Sequence, residues 1–107
     1  MGGESFLVEL LELALQALEH DIPAIAQHLH QGDAKGAQRL LHALKGSAPL
    51  YCCVELVQQI TTLDALSNTA SAAELTPFWA HLAPGLAQVH EEICVYLGAV
   101  QPSGRAL

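Results

Sequence analysis

An all-α fold, an up-and-down antiparallel four-helix bundle with a short additional helix, is predicted by three observations. Leu and Ala supply most of an apolar content of 51% while aromatic residues reach only 5%, a mix that favours helices over sheets. Apolar residues recur at three- and four-residue steps along most of the chain, and no segment alternates as a strand would. The breaks between periodic segments are short, as they are between antiparallel neighbours. At 107 residues the chain is long enough for one core and one domain.

The first helix is expected from Phe6 to Leu18, with Leu7, Leu10, Leu11, Ala14, Leu15 and Leu18 as its inner stripe and acidic residues between them. Asp21, with Pro23 just behind it, is placed to start a short second helix, which turns Ile25 and Leu29 inward and ends at Gly32. Asp33 can cap a third, whose stripe is Ala37, Leu40, Leu41, Leu44 and Ala48 until Pro49 interrupts it. After a turn at Pro49 and Leu50, the set Leu56, Ile60 and Leu63 describes a helix from about Cys52 to Leu66.

A polar connection, Ser67 to Ser71, leads to Ser71-Ala72-Ala73-Glu74, which has the spacing of a capping box. The helical region it opens carries Leu75, Phe78, Leu82, Leu86, Val89, Ile93 and Leu97, and Pro84 within it must kink the helix or split it. Phe78 is expected in the core and Trp79 half exposed. Cys52, Cys53 and Cys94 read as buried small apolar residues rather than reactive thiols. The domain organisation predicted is an expression scar or disordered leader at residues 1–4, the bundle at 5–98 and a flexible tail at 99–107.

Charge narrows the function. Four Lys plus Arg stand against eleven Asp plus Glu, a formal charge of −7 that repels a phosphate backbone, so nucleic acid is excluded as a partner. Three cysteines, two of them adjacent, do not suggest a secreted disulfide framework and fit a reducing cytoplasm. No stretch approaches a membrane span, because Glu9, Glu12, Gln16 and Glu19 break the leucine-rich start, and no basic region marks a signal peptide.

The chemistry gathers in Leu41-His42-Ala43-Leu44-Lys45-Gly46-Ser47-Ala48. Leu41 and Leu44 take core positions, which rotates His42 and Lys45 onto a shared outer face. Gly46 lies one turn beyond His42 on that face, in a helix interior where glycine costs about 1 kcal/mol against alanine. That cost suggests a use: a missing side chain clears room for another protein to approach the imidazole. Lys45 can set its ammonium beside a phosphoryl group on His42. Neutral imidazole, with a reference pKa of about 6.5, is a competent nucleophile near pH 7. An exposed helical histidine is by itself usually a solvated side chain, and it is the spacing to Lys45 and Gly46 that sets this one apart.

The segment resembles the histidine phosphotransfer (HPt) family, whose pattern is His-x-Leu-Lys-Gly-Ser/Ala followed by a second helix with leucines at set intervals. The matching residues are His42, Leu44, Lys45, Gly46, Ser47 and Ala48, continuing with Leu56, Leu63 and an acidic residue at Asp64. Helix order and bundle length agree over most of residues 5 to 98. The resemblance implies that His42 is the phosphoacceptor through Nε2, that Lys45 stabilises the phosphoryl group and that Gly46 keeps the surface open. It also implies that Asp64, where family members place Gln or Glu, orients the imidazole through Nδ1. Where the family commonly has a glycine between the two central helices, this sequence has Cys52 after Pro49-Leu50-Tyr51, so a differently built turn is expected.

Such a domain is a relay without an ATP site, and the sequence holds no Gly-rich phosphate loop and no kinase motif. The phosphoryl group is expected to arrive from the aspartyl phosphate of one receiver domain, that of a hybrid sensor kinase, and to leave for the aspartate of a response regulator. The domain has no cofactor of its own, Mg²⁺ being bound by the receiver. A first helix close to the amino terminus suits a domain cut from the end of a hybrid sensor kinase, at the cytoplasmic end of a membrane-bound chain. Two other classes stay open: a helical adaptor in which His42 is incidental and Trp79 and Phe78 form the contact, and a metal-binding bundle. The second is weakened because His28 and His30, His20 and His28, and Cys52 and Cys53 lack the i, i+3 or i, i+4 spacing that puts two ligands on one helical face.

Overall fold

A computed structural model describes residues 2–100, and the side chains of 5–99. Four helices follow one another: α1 at Gly2–His30, α2 at Ala34–Ser47, α3 at Val54–Leu66 and α4 at Ala72–Val100, with a single 3-10 turn at Ala48–Leu50 after α2. They form the expected bundle. Neighbours in sequence pack against each other, and α4 closes the ring against α1. At 29 residues each, α1 and α4 run about 43 Å, nearly the 46 Å long axis of the molecule, while α2 and α3 cover about half that length. The predicted tail from Gln101 to Leu107 lies outside the described residues.

The two helices predicted on either side of Asp21 are one. Asp21 lies within α1, its carboxylate bonded to the His20 ring at 2.8 Å, and the helix runs through Pro23. The short additional element is therefore the 3-10 turn. Likewise α4 is a single helix through Pro77 and Pro84, which do not split it. Each ring removes the N–H that would bond the carbonyl four residues earlier. Pro23, Pro77 and Pro84 are all exposed, as are Glu19, Ala73 and Ala80, whose carbonyls lose that bond, so water can take its place. Burial of the opposite face then holds the helix together.

That face supplies the core. Leu18 and Ile25 of α1, Leu41 and Leu44 of α2, Ile60 of α3 and Leu75, Leu82, Leu86 and Leu97 of α4 are the largest fully buried side chains. Along α4 the buried positions Ala72, Leu75, Trp79, Leu82, Leu86, Val89 and Ile93 alternate steps of three and four. That register selects Trp79, 6% exposed, and turns Phe78 outward at 53%, the reverse of the expectation. It also removes Trp79 as an adaptor surface. The cysteines depart from expectation too: Cys53 is exposed, and Cys52 and Cys94 are half-buried, all three as free thiols. Burial, followed by the neighbouring Cys53, pushes the Cys52 thiol up to about 11, which keeps it protonated near neutrality.

The connection from α1 to α2 sets where the reactive segment begins. Gly32, at φ 78°, takes the left-handed conformation that closes α1: its N–H bonds the Leu29 carbonyl at 3.1 Å and that of Asp33 bonds the His28 carbonyl at 2.8 Å. Asp33 then caps α2, accepting the Gly36 N–H at 2.9 Å while its other oxygen meets the His28 ring at 3.0 Å. These groups sit so close over Gly36 that an added Cβ would lie 2.4 Å from His28 Nδ1. At the start of α4 the capping box forms as predicted, with Ser71 N–H to Glu74 Oε1 at 2.8 Å and Glu74 N–H to Ser71 Oγ at 3.2 Å.

Candidate functional site

With Leu41 and Leu44 buried at 0% and 1%, the helical period carries His42 outward, and its side chain is 73% exposed. Lys45 follows one turn later at 38%, its stem lying along the helix surface. Gly46 is exposed, and a Cβ built there would have no atom within 4 Å. The surface beside His42 is thus open at the position where the sequence predicts a clearance.

Asp64 is what α3 adds. It is 6% exposed and buried alongside Leu63 and Ile60, on the side of α3 that packs against α2. One carboxylate oxygen, Oδ2, lies 3.2 Å from Lys45 Nζ and 3.5 Å from His42 Nδ1. The first distance is an ion pair; the second is longer than a formed hydrogen bond and short enough to become one by a small side-chain movement. All four predicted site residues therefore meet on one surface. Because Nδ1 is the ring nitrogen facing the carboxylate, Nε2 is directed away from it toward solvent.

Two further contacts, not read from the sequence, fix the ends of this surface. Gln38, one turn before His42, bonds the Asn68 side chain beyond the end of α3, and Asn68 in turn bonds the Ala65 carbonyl at 3.2 Å. At the other end the Ser47 and Tyr51 hydroxyls meet at 3.0 Å, and burial raises the Tyr51 phenol above its ordinary range. The turn between α2 and α3 is closed by Tyr51 and Cys52 N–H groups on the Ala48 carbonyl, at 3.0 and 2.7 Å. No non-glycine residue among those described has a positive φ, so this turn has no need of a glycine. Complementary side chains for such contacts lie far apart in sequence, and nothing local announces them.

Beside the end of α2 an apolar groove is lined by Leu10, Leu13, Ala17, Leu50 and Tyr51, next to Ser47. Leu13 and Leu50 stand 65% and 63% exposed at its edge. Among the described residues, no three His, Cys, Asp or Glu side chains gather in a way that could hold a metal ion, and no helix is long and apolar enough to cross a membrane.

Known proteins place this architecture. No curated protein sequence matches the chain. Its fold is similar to the crystal structure of the HPT domain from the Hpt sensor hybrid histidine kinase of Shewanella, with a TM-score of 0.80 and 22% identity, covering 92% of this chain and 85% of that one. Residues 9–94 match the Hpt domain family, a span that includes His42, Lys45, Gly46 and Asp64. The chain therefore belongs to the Hpt domain family, and its role is histidine phosphotransfer in the phosphorelay of two-component signalling.

Proposed function

We propose that His42 is the phosphoacceptor of this domain, receiving a phosphoryl group from the aspartyl phosphate of a hybrid kinase's receiver domain and passing it to the aspartate of a response regulator. The observation that carries this reading is the outward imidazole beside an open Gly46, with its Nδ1 turned to a carboxylate and its Nε2 free to be approached. In the forward step the Nε2 lone pair forms the new N–P bond as the P–O bond to the receiver's aspartate breaks, and that electron pair returns to the receiver's carboxylate. Nδ1 keeps its proton, and the return step reverses these movements. Lys45 offsets charge on the phosphoryl oxygens. Positioning and charge neutralisation supply most of the catalysis, with Mg²⁺ held by the receiver and no cofactor bound by this domain.

A receiver seated over His42 would cover Leu13 and Leu50, the exposed apolar side chains at the end of α2, in the small interface that a transient encounter needs. Its place is the cytoplasm, where free thiols such as Cys53 stay reduced. The test is label transfer from a phosphorylated receiver domain to the parent and to His42→Gln. The parent takes up label and the variant does not; equal labelling of the two would overturn the assignment.

A further inference from the structure

The arrangement of Asp64 goes beyond orienting a ring. Its Oδ2 is the nearer partner of two groups at once, Lys45 Nζ at 3.2 Å and His42 Nδ1 at 3.5 Å, and both come from one turn of α2. The three groups are layered by exposure: the Asp64 side chain 9%, Lys45 38% and His42 73%. A carboxylate so nearly cut off from water is costly to leave without a partner. In the free protein the ammonium is the closer partner, and the imidazole stands just outside hydrogen-bond distance.

We propose that Asp64 is a positioning residue with two exchangeable partners, pairing with Lys45 while His42 is unmodified and with the Nδ1–H of His42 once a phosphoryl group is present. This rests on His42 being the phosphoacceptor. A phosphoryl group on Nε2 lies on the solvent side of the ring and carries several anionic oxygens, toward which the flexible Lys45 stem can swing. As Lys45 leaves, Asp64 Oδ2 needs a new donor. The imidazole has just become cationic, with the N–P bond made at Nε2 and the proton retained at Nδ1, and it lies only a few tenths of an ångström beyond good contact. The carboxylate thus balances the charge of whichever group the phosphoryl group leaves without a counterion. Phosphorylation exchanges one ion pair for another without exposing the buried oxygen.

The test is a double-substitution cycle, Lys45→Met and Asp64→Asn singly and together, measured as the rate at which the protein takes label from a receiver domain loaded with acetyl phosphate. If Lys45 must leave Asp64 to reach the phosphoryl group, Lys45→Met slows uptake more, by about threefold, in the Asp64→Asn background than in the parent. An equal loss in both backgrounds overturns the exchange. So does a smaller loss in the Asp64→Asn background, which would make Asp64 a support for Lys45 and not a competitor.

His42→Gln is run beside these. If it takes label like the parent, the acceptor assignment itself falls; if it stays blank while the cycle is additive, only the exchange falls. Should Asp64→Asn not fold, NMR of the parent decides. On phosphorylation the through-hydrogen-bond coupling between Lys45 Nζ and Asp64 Cγ is lost and one from His42 Nδ1 appears; retention of the lysine coupling overturns the proposal.

Discussion

Along α4 the buried stripe runs unbroken from Ala72 to Leu97, whereas α2, half as long, faces His42, Lys45 and Gly46 toward solvent directly beside its buried Leu41 and Leu44. The long pair α1 and α4 is held by apolar burial, each large side chain contributing on the order of 1.5 to 3 kcal/mol. It tolerates three prolines because the carbonyls they strand face water. The short pair α2 and α3 has the same inner packing, but its outer surface carries groups that suit chemistry more than stability: an interior glycine and a nearly buried carboxylate. Stability and reactivity are thus separated by one residue of helical rotation, not by distance.

Substitutions can break that separation. The largest effect is expected in α4: Trp79→Ala should destabilise by about 3 to 5 kcal/mol in urea unfolding, while Phe78→Ala, one residue away, should cost less than about 1 kcal/mol. Comparable losses at the two positions would refute the register described. Leu44→Ala should cost about 2 to 5 kcal/mol, yet His42→Gln within the same turn should leave stability within about 0.5 kcal/mol.

Smaller effects sharpen the contrast. Pro84→Ala should stabilise the protein by about 1 to 2 kcal/mol by restoring a helical bond, less what is returned through a more flexible unfolded chain. Gly46→Leu should raise the melting temperature, gaining up to about 1 kcal/mol from helix propensity because its Cβ meets nothing, while slowing phosphoryl uptake. An unchanged uptake rate would remove the account of that glycine.

The smallest effect concerns pH. The Gly36 N–H first, with help from His28, holds the Asp33 carboxyl below its ordinary 3.8 against the opposing pull of burial. A folded-state value lower than the unfolded one means that the contribution of Asp33 is fully present above 3.8 and is lost as pH falls through the folded value. Asp33→Ala should therefore lower the melting temperature near neutral pH, and the difference from the parent should shrink in acid. A difference that stays constant into strong acid would show that the ionised cap is not its source.

Local signals carried much of this. The Schellman closure at Gly32, the Asp33 cap and the Ser71 box each depend on a few adjacent residues whose side chains bond their own backbone, so their chemistry could be read in the linear chain. The outward direction of His42 follows in the same way, because a helical period that buries Leu41 and Leu44 leaves the residue between them no other face. Even the grouping of His42, Lys45 and Gly46 needs nothing beyond i, i+3 and i, i+4 geometry.

Packing decided the rest. Proline is a breaker by local rules, and only burial against the other helices, with the freed carbonyls left in water, explains why α1 and α4 continue through Pro23 and Pro84. Phe78 and Trp79 are both compatible with a helical stripe, and the register of α4 against its neighbours chose between them. Asp64 could be suspected only by resemblance: that its Oδ2 stands between Lys45 and His42 depends on how α3 packs on α2. A sequence specifies contacts within a turn through its own period, whereas the meeting of two helices depends on the shape of every side chain between them.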